Sequence, residues 1–201
     1  MKKQEIKLAV LVSGVGTLLE AMCKAKLPIA LVISDRECRG LEIAREAHIP
    51  TELVKRTDFT KSFDRVAFTL KTVDVLRKRK IDVIAMAGYM TVFSQEMFDA
   101  YGGRVLNTHP SLLPAFKGAT AVADALKYGA KLTGFTVHIA TKDLDAGPII
   151  AQVSVPVEES DTAETLHERI KKEERLMYPK IIAEFINDLP PTKQVTSGIQ
   201  L

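Results

Sequence analysis

The chain has 201 residues, of which 46% are hydrophobic and 26% charged, and its 28 basic and 25 acidic residues leave a formal net charge of +3. These proportions are typical of a soluble globular protein and exclude a disordered chain, a collagen, a coiled coil and a membrane bundle. The small net charge argues against nucleic-acid binding through a broadly basic surface. A chain of this length can bury about 70% of its unfolded surface, so it needs no stabilising disulfide or metal.

The amino-terminal segment imitates a targeting signal only in part. An apolar run from Leu8 to Leu19 follows Met1-Lys2-Lys3, but two glycines interrupt it where a signal peptide would need an unbroken apolar core. No other window approaches the ~18 apolar residues of a membrane span. Cys23 and Cys38 form no C-x-x-C pair, which favours reduced thiols. We therefore expect a cytoplasmic protein that does not contact a membrane.

Apolar runs of strand length alternate with segments of helical pattern along most of the chain. The first run, Leu8 to Val12, is continuously apolar, as expected of a strand covered on both faces. Further strands are predicted at 28–33, 51–54, 83–86, 105–107, 132–139 and 149–155, and helices at 18–26, 41–47, 62–80, from about 94, at 121–128 and at 162–185. This alternation predicts a single α/β domain with a doubly wound, mostly parallel sheet whose last two strands are connected differently.

The helix predicted at 62–80 and the carboxyl-terminal segment complete this description. Apolar residues recur in the helix at spacings of three and four, which predicts that they face the core; they are Phe63, Val66, Leu70, Val73 and Leu76. We expect the domain to span residues 1–186. The segment 187–201 contains two adjacent prolines and nothing suited to packing, so we expect it to form a flexible tail.

The turn after the first strand has the composition of a phosphate-binding loop. Ser13-Gly14-Val15-Gly16-Thr17 joins a strand to a helix. Glycines there let backbone N–H groups approach a phosphate, and a helix amino terminus favours negative charge. A dinucleotide fingerprint would need glycine at Leu19, although Asp35 imitates its ribose-binding acid. Phosphate binding is our interpretation; a plain turn that needs small residues is the alternative.

Two further segments carry residues suited to acyl chemistry. Asn107 and His109 end a short strand, and together they could stabilise a negatively charged oxygen. A polar turn at 143–148 contains Asp145, which could raise the pKa of a nearby histidine and orient it. A structural histidine and an ordinary turn remain the alternatives.

The four histidines do not have the spacing of a metal site. No H-x-H or H-x-x-x-H pair occurs among them, and no cysteine lies near them, so we expect no metal; they are His48, His109, His138 and His167. His138 lies within a predicted strand, where it would be a core residue or support the site. His167 is expected to be solvated on the polar face of a helix.

Three motifs resemble the folate-dependent formyltransferases. The first is N-T-H-P-S-L-L-P at 107–114, continued by F-K-G at 116–118. G-F-T-V-H at 134–138 and D-L-D-A-G-P-I-I-A-Q at 143–152 follow in register. With the glycine loop, the chain is similar to those members whose acceptor is 5-phosphoribosylglycinamide, over about 7–185. The resemblance implies a Rossmann-like formyltransferase fold and transfer of a formyl group from 10-formyltetrahydrofolate to the acceptor's amine in purine biosynthesis.

The resemblance also implies a role for individual residues. Asn107 and a cationic His109 would stabilise the tetrahedral oxygen, Asp145 would move a proton with a water, and His138 would support them. The ribonucleotide would be held at its phosphate and ribose by Gly14, Val15, Gly16, Thr17 and Glu174. The folate would contact Arg65, Met90, Thr91, Val92, Phe93 and Asn107. The partners would be small molecules, with no nucleic acid or membrane involved, and the chain would be a monomer or homodimer.

Three positions depart from the family's pattern. Leu18 replaces a common asparagine, Thr91 replaces a frequent basic residue, and Lys117 to Thr120 replace a Pro-Gly segment followed by histidine. Two related activities stay open as alternatives: hydrolysis of 10-formyltetrahydrofolate, and formyl transfer to another amino-sugar nucleotide. A non-enzymatic nucleotide-binding module is a third, although such a module would have no use for Asn107, His109 and Asp145.

Overall fold

A central β-sheet organises the chain, and the computed structural model describes residues 6–189. Its seven strands are β1 (Leu8–Val12), β2 (Ile29–Ser34), β3 (Thr51–Leu53), β4 (Val83–Met86), β5 (Val105–His109), β6 (Leu132–Ile139) and β7 (Ile149–Pro156). The helices are α1 (Thr17–Lys24), α2 (Arg39–Glu46), α3 (Arg65–Lys78), α4 (Gln95–Tyr101), α5 (Ala121–Tyr128) and α6 (Ala163–Asp188). The predicted α/β class and the type of each of these elements are confirmed.

The sheet is parallel over its first five strands and antiparallel at one edge. The strand order is β3-β2-β1-β4-β5-β6-β7, and the antiparallel pairs are β5 with β6 and β6 with β7. The direction of winding reverses between β1 and β4. Open α/β sheets bind ligands at such a switch point, outside the carboxyl ends of the strands. The fold therefore directs attention to the loops that follow β1, β4 and β5.

Two apolar cores cover the faces of the sheet. Leu19 of α1, Leu41 of α2, Val122 of α5 and Ile170 of α6 belong to one core. The other core lies under α3 and α4. Each fully buried aliphatic side chain contributes roughly 1.5–3 kcal/mol. The two faces matter for the site, because alternate residues of a strand end point to opposite faces.

The prediction for the apolar face of α3 was partly wrong. Val66 is 46% exposed and Leu70 is 51% exposed, while two threonines are buried. Asp64 fixes the start of the helix, because its carboxylate accepts a hydrogen bond of 2.9 Å from the backbone N–H of Ala67. The threonines are tolerated because backbone groups satisfy them: Thr72 donates to the Phe68 carbonyl oxygen and Thr69 accepts from Ser94 N–H.

The last helix is longer than the sequence predicted. α6 continues to Asp188, so the start of the segment expected as a tail is helical, and the remainder, 190–201, lies outside the described residues. Thr162 caps the helix by accepting from the N–H of Thr165. Tyr178 fixes the helix to the sheet, since its hydroxyl donates to the Met86 carbonyl oxygen at 3.0 Å. Between residues 6 and 189, no helix is both long and apolar enough to cross a membrane.

Candidate active site

The loop after β1 is open to solvent and begins a helix that no side chain caps. Gly14, Val15 and Thr17 are exposed, and Gly16 adopts a left-handed φ of 75° at the N-cap of α1. A Cβ on Gly16 would lie 2.7 Å from the Cα of Gly40, so both φ and space require glycine there. The first-turn N–H groups of α1 are thus available to an anion at the switch point. Leu18, by contrast, is buried in the core below the loop.

Asn107 and His138 face each other across β5 and β6. Their strands place them in register, and Asn107 Nδ2 lies 3.2 Å from His138 Nε2. His138 Nδ1 lies 3.0 Å from the carbonyl oxygen of Ile139, which can only accept, so Nδ1 carries the hydrogen and Nε2 accepts from Asn107. Burial lowers the pKa of His138, which favours this neutral form. One amide hydrogen of Asn107 is therefore engaged, and the other remains to donate elsewhere.

His109 and Asp145 form a second buried pair beside the first. His109 Nδ1 lies 3.4 Å from Asp145 Oδ2, and His109 Nε2 lies 2.8 Å from the Phe116 carbonyl oxygen. Both ring nitrogens thus face oxygen acceptors, an arrangement that an imidazolium satisfies with two N–H donors. The other carboxylate oxygen of Asp145 lies 3.8 Å from His138 Nε2. The structure therefore brings Asn107, His109, His138 and Asp145 together.

The backbone around Asp145 holds its carboxylate in place. Asp145 adopts a positive φ of 50°, uncommon for a residue with a side chain, and Oδ2 accepts a hydrogen bond of 2.9 Å from Gly118 N–H. The loop then passes so close to β6 that a Cβ on Gly147 would lie 1.8 Å from the Ile139 carbonyl oxygen. This close approach explains the glycine at position 147 of the D-A-G-P segment, 145–148.

Thr136 anchors the loop that follows β5, a role that the sequence did not reveal. Its hydroxyl donates to the Ser111 carbonyl oxygen at 2.7 Å and accepts from Leu113 N–H at 3.0 Å. Gln152 adds to this network by donating to the Leu113 carbonyl oxygen at 2.9 Å. Both residues belong to the motifs quoted above, so their type was visible, but their contacts depend on the antiparallel pairing of β6 with β7.

Glu174 lies on the opposite face of β5 from the Asn107 amide. Thr108 alternates with its neighbours along the strand, and its hydroxyl donates to Glu174 Oε1 at 2.6 Å. Burial raises the pKa of Glu174, although the Thr108 hydrogen bond opposes this shift. The half-buried carboxylate and the open glycine loop both lie on the face covered by α1 and α6.

The stretch expected to contact a folate divides into two exposed and two buried side chains. Met90 and Val92 are exposed, whereas Thr91 and Phe93 are buried. The Thr91 hydroxyl donates to Asp35 Oδ2 at 2.6 Å, so it is directed to β2 rather than to the surface. The Phe93 ring stacks within the core under α3 and α4. Arg65 is exposed at the first residue of α3.

A cavity of about 260 Å³ adjoins Pro110 between α5 and α6, and it corrects the expectation for His167. Thr120 and His167 line it from the two helices. His167 is half-buried rather than fully solvated, and burial lowers its pKa. Among residues 6–189, no group of three or more His, Cys, Asp or Glu side chains is arranged to hold a metal ion.

Comparison with known proteins identifies the class of this protein. The family model described as formyl transferase matches residues 6–182. The chain therefore belongs to the formyltransferase family. The match includes the glycine loop, the four clustered polar residues and Glu174.

Individual relatives narrow the family further. A phosphoribosylglycinamide formyltransferase of Mycobacterium tuberculosis is 42% identical over 182 residues, which cover 88% of this chain and 83% of that protein. A Bacillus subtilis protein of the same name is 37% identical over 188 residues, which cover 90% of this chain and 94% of that protein. The crystal structure of phosphoribosylglycinamide formyltransferase from Anaplasma phagocytophilum superposes with a TM-score of 0.84 at 41% identity, covering 92% of this chain and 89% of that chain.

Proposed function

We propose that the chain transfers a formyl group from 10-formyltetrahydrofolate to the amine of 5-phosphoribosylglycinamide, a step of purine biosynthesis. The main support for this proposal is the convergence of the Asn107 amide, two imidazoles and the Asp145 carboxylate beside the end of β5. The relatives named above support this choice of acceptor. Both substrates are small molecules, and the chain acts in the cytoplasm as a monomer or homodimer, without a metal.

Asn107 stabilises the oxygen that becomes negative when the amine attacks the formyl carbon. The neutral His138 ring accepts one amide hydrogen of Asn107 and so fixes the orientation of this side chain. The second amide hydrogen therefore already has a fixed direction before the substrates bind. An amide that is already oriented needs no reorganisation in the transition state. Removing such a donor typically costs about 3 kcal/mol of transition-state stabilisation.

His109 supplies positive charge next to the same oxygen. In the structure its two ring nitrogens face Phe116 and Asp145, so the imidazolium acts through its charge in this arrangement. Direct donation to the tetrahedral oxygen requires His109 to exchange the Phe116 carbonyl oxygen for the substrate. Phe116 has a positive φ of 51°, and the short segment around it would have to move for this exchange.

Asp145 moves the proton that the reaction must transfer. The attacking amine loses a proton as the new C–N bond forms, and the departing folate nitrogen gains one as the old bond breaks. Asp145 faces both imidazoles and, with a water, links the two nitrogens of the substrates. Gly118 N–H holds one of its oxygens, so the other is the one that accepts the proton.

The two substrates approach from opposite faces of the sheet. The backbone of Gly14, Val15, Gly16 and Thr17 binds the phosphate, and Glu174 accepts hydrogen bonds from the ribose hydroxyls, both on the face covered by α1 and α6. The folate lies on the other face, where Asn107 points. There Met90 and Val92 provide exposed apolar contact, Thr91 and Phe93 contribute backbone only, and Arg65 pairs with a glutamate carboxylate.

The acceptor is tested by offering the purified chain three reactions side by side. Each contains 10-formyltetrahydrofolate, with 5-phosphoribosylglycinamide, an amino-sugar nucleotide or water alone as acceptor, and mass spectrometry records the product. We expect an N-formyl product only with 5-phosphoribosylglycinamide. Formylated amino sugar, or formate with no acceptor present, would instead establish one of the two alternative activities.

A further inference from the structure

A buried carboxylate that the proposed mechanism does not use lies at the end of β2. Asp35 follows β2 directly and is completely buried, although its position imitates the ribose-binding acid of a dinucleotide site. Oδ1 accepts a hydrogen bond of 2.9 Å from Arg36 Nε. Oδ2 accepts one of 3.0 Å from Arg36 Nη2 and one of 2.6 Å from the Thr91 hydroxyl. Both oxygens are therefore engaged within the protein, and Asp35 is closed to a ribose.

Ser13 extends these hydrogen bonds to a second residue of the loop after β4. The Ser13 hydroxyl accepts a hydrogen bond of 2.9 Å from Met90 N–H and donates its own hydrogen to the Asp35 carboxylate. The backbone N–H of Ser13 donates to the Gly88 carbonyl oxygen at 3.2 Å. One carboxylate therefore holds two consecutive residues of this loop, Thr91 directly and Met90 through Ser13.

The carboxylate of Asp35 is suited to this role because it is charged as well as buried. Burial alone would raise the pKa of Asp35, but the hydrogen bonds that it accepts outweigh burial and lower the pKa below its ordinary value. Hydrogen bonds to an ionised group are shorter and about twice as strong as those between neutral groups. Removing the acceptor would also leave its buried donors unsatisfied, which costs more than the bond itself contributes. Asp35 therefore fixes the positions of Ser13 and Thr91 strongly.

The inward direction of Thr91 decides what the loop after β4 presents to a ligand. Thr91 is 1% exposed, whereas Met90 and Val92 on either side of it are 67% and 40% exposed. In the proposed mechanism, Met90 and Val92 provide apolar contact to the folate and Thr91 contributes its backbone. All three contributions therefore depend on the hydrogen bond between Thr91 and Asp35.

We infer that Asp35 is a positioning residue, which holds the loop after β4 in the conformation that binds the folate. This inference rests on the proposed function and deepens it. The partners of Asp35 named above lie outside the four clustered polar residues beside β5, so Asp35 acts on folate affinity and not on the chemical step. Because the loop is held in this conformation before the folate arrives, binding does not have to order it.

The test measures folate affinity in Asp35→Asn, which removes the charge at almost constant size. Tetrahydrofolate, which carries no formyl group to transfer, is titrated without acceptor to give Kd, and KM and kcat are then measured with both substrates. Loss of a hydrogen bond to a charged group should raise the folate Kd and KM about tenfold. The value of kcat should change by less than about threefold, because the groups that act in the transition state are untouched.

A double-mutant cycle separates positioning from a general loss of stability. Thr91→Val removes only the direct hydrogen bond and should raise the folate Kd by a smaller factor than Asp35→Asn does. In the double variant, the factor should be clearly smaller than the product of the two single factors, because both substitutions break the same contact. Leu76→Val, in the buried core near the carboxyl end of α3, is the control: it should lower Tm and leave the folate Kd unchanged.

Two results would overturn the inference. One is a wild-type folate Kd in Asp35→Asn or, if that variant does not fold, in Thr91→Val. The other is a pair of single effects that multiply independently in the double variant. Failure of the proposed function is separate: it would appear as no formyl transfer to 5-phosphoribosylglycinamide by the wild type, while the tetrahydrofolate Kd values would still decide the inference. A wild type that does not bind tetrahydrofolate at all would overturn both.

Discussion

At the scale of single residues, the site depends on how each polar group is held. The neutral His138 ring binds the Asn107 amide, and Asp145 lies beside a second histidine whose ring nitrogens both face oxygens. Asn107, His109 and Asp145 could be selected from the sequence because they stand in dense motifs. The hydrogen bonds of the two histidines could not be predicted from the sequence. They depend on the backbone carbonyl oxygens of Ile139 and Phe116, whose positions are set by the fold and not by a side-chain pattern.

We expect Asn107→Ala to lower kcat by about 100- to 1000-fold while changing KM little, because the proposed mechanism makes its amide a donor that acts mainly in the transition state. Steady-state kinetics with both substrates measures this effect. Asn187→Ala, at an exposed position near the end of α6, is the control and should be fully active. A variant of Asn107 with wild-type kcat would show that the amide does not contact the reacting oxygen.

Glu174 should make stability depend on pH. Burial raises its folded-state pKa above the ordinary 4.5, so the folded state holds the proton more tightly than the unfolded state. Its favourable contribution is complete below pH 4.5 and is lost as pH rises through the folded pKa. Glu174→Gln should therefore gain Tm relative to wild type as pH rises from about 4 to 8.

Calorimetry at several pH values measures that difference, and Glu184→Gln, at an exposed position of the same helix, is the control for the substitution itself. A Tm difference for Glu174→Gln that stayed flat or fell with pH would contradict the buried carboxylate described here. The same substitution should raise KM for the ribonucleotide, because a neutral amide accepts ribose hydrogen bonds less strongly than a carboxylate does.

At the scale of elements, the conformation of the glycine loop between β1 and α1 is fixed by its contact with α2. Gly16→Ala should lower the free energy of unfolding by about 1–2 kcal/mol or more, because φ is left-handed and the new Cβ would meet Gly40. Gly14→Ala, where a Cβ would meet nothing within 4 Å, should be close to neutral. Urea denaturation of both variants measures the contrast, and equal losses would contradict the assigned loop geometry.

Two buried threonines of β6 give a second matched pair. Thr136→Val should cost about 1–3 kcal/mol or more, because it leaves Leu113 N–H and other polar groups of the β5 loop unsatisfied. Within the described residues, the buried Thr133 hydroxyl has no hydrogen-bond partner, so Thr133→Val should be neutral or stabilising. Thermal unfolding compares them, and a larger loss for Thr133→Val would contradict the network.

The elements were predictable to different degrees, for identifiable reasons. Continuously apolar runs such as β1 predicted buried parallel strands correctly, because both faces of the sheet are covered. The buried face of α3 was predicted only in part: Val73 and Leu76 are buried as expected, but Val66 and Leu70 are exposed. Thr69 and Thr72 are buried instead, because hydrogen bonds with backbone groups satisfy their hydroxyls. His167 was also misassigned, because the cavity beside it forms only when α5 and α6 come together.

At the scale of the whole molecule, the proposed mechanism assigns the two substrates to the two faces of one sheet. The residues that we propose for the ribonucleotide lie on the face of α1 and α6, those that we propose for the folate lie on the face of α3 and α4, and Thr108 and Asn107 of β5 point to opposite faces. This division is a consequence of strand alternation, so it follows from the fold rather than from any single motif. The fold also brings the glycine loop after β1 and the end of β5, with Asp145 beside it, to the same edge of the sheet, although they are distant in sequence.

The most direct measurement follows the spectrum of 10-formyltetrahydrofolate as it loses its formyl group, with and without 5-phosphoribosylglycinamide. We expect deformylation only when the ribonucleotide is present, and its near-complete loss in Asp145→Ala. Deformylation without the ribonucleotide would identify water as the acceptor and contradict the proposed transfer. A folate that stays intact in both reactions would contradict it as well, and would direct attention to Leu18 and Thr120 and to other acceptors.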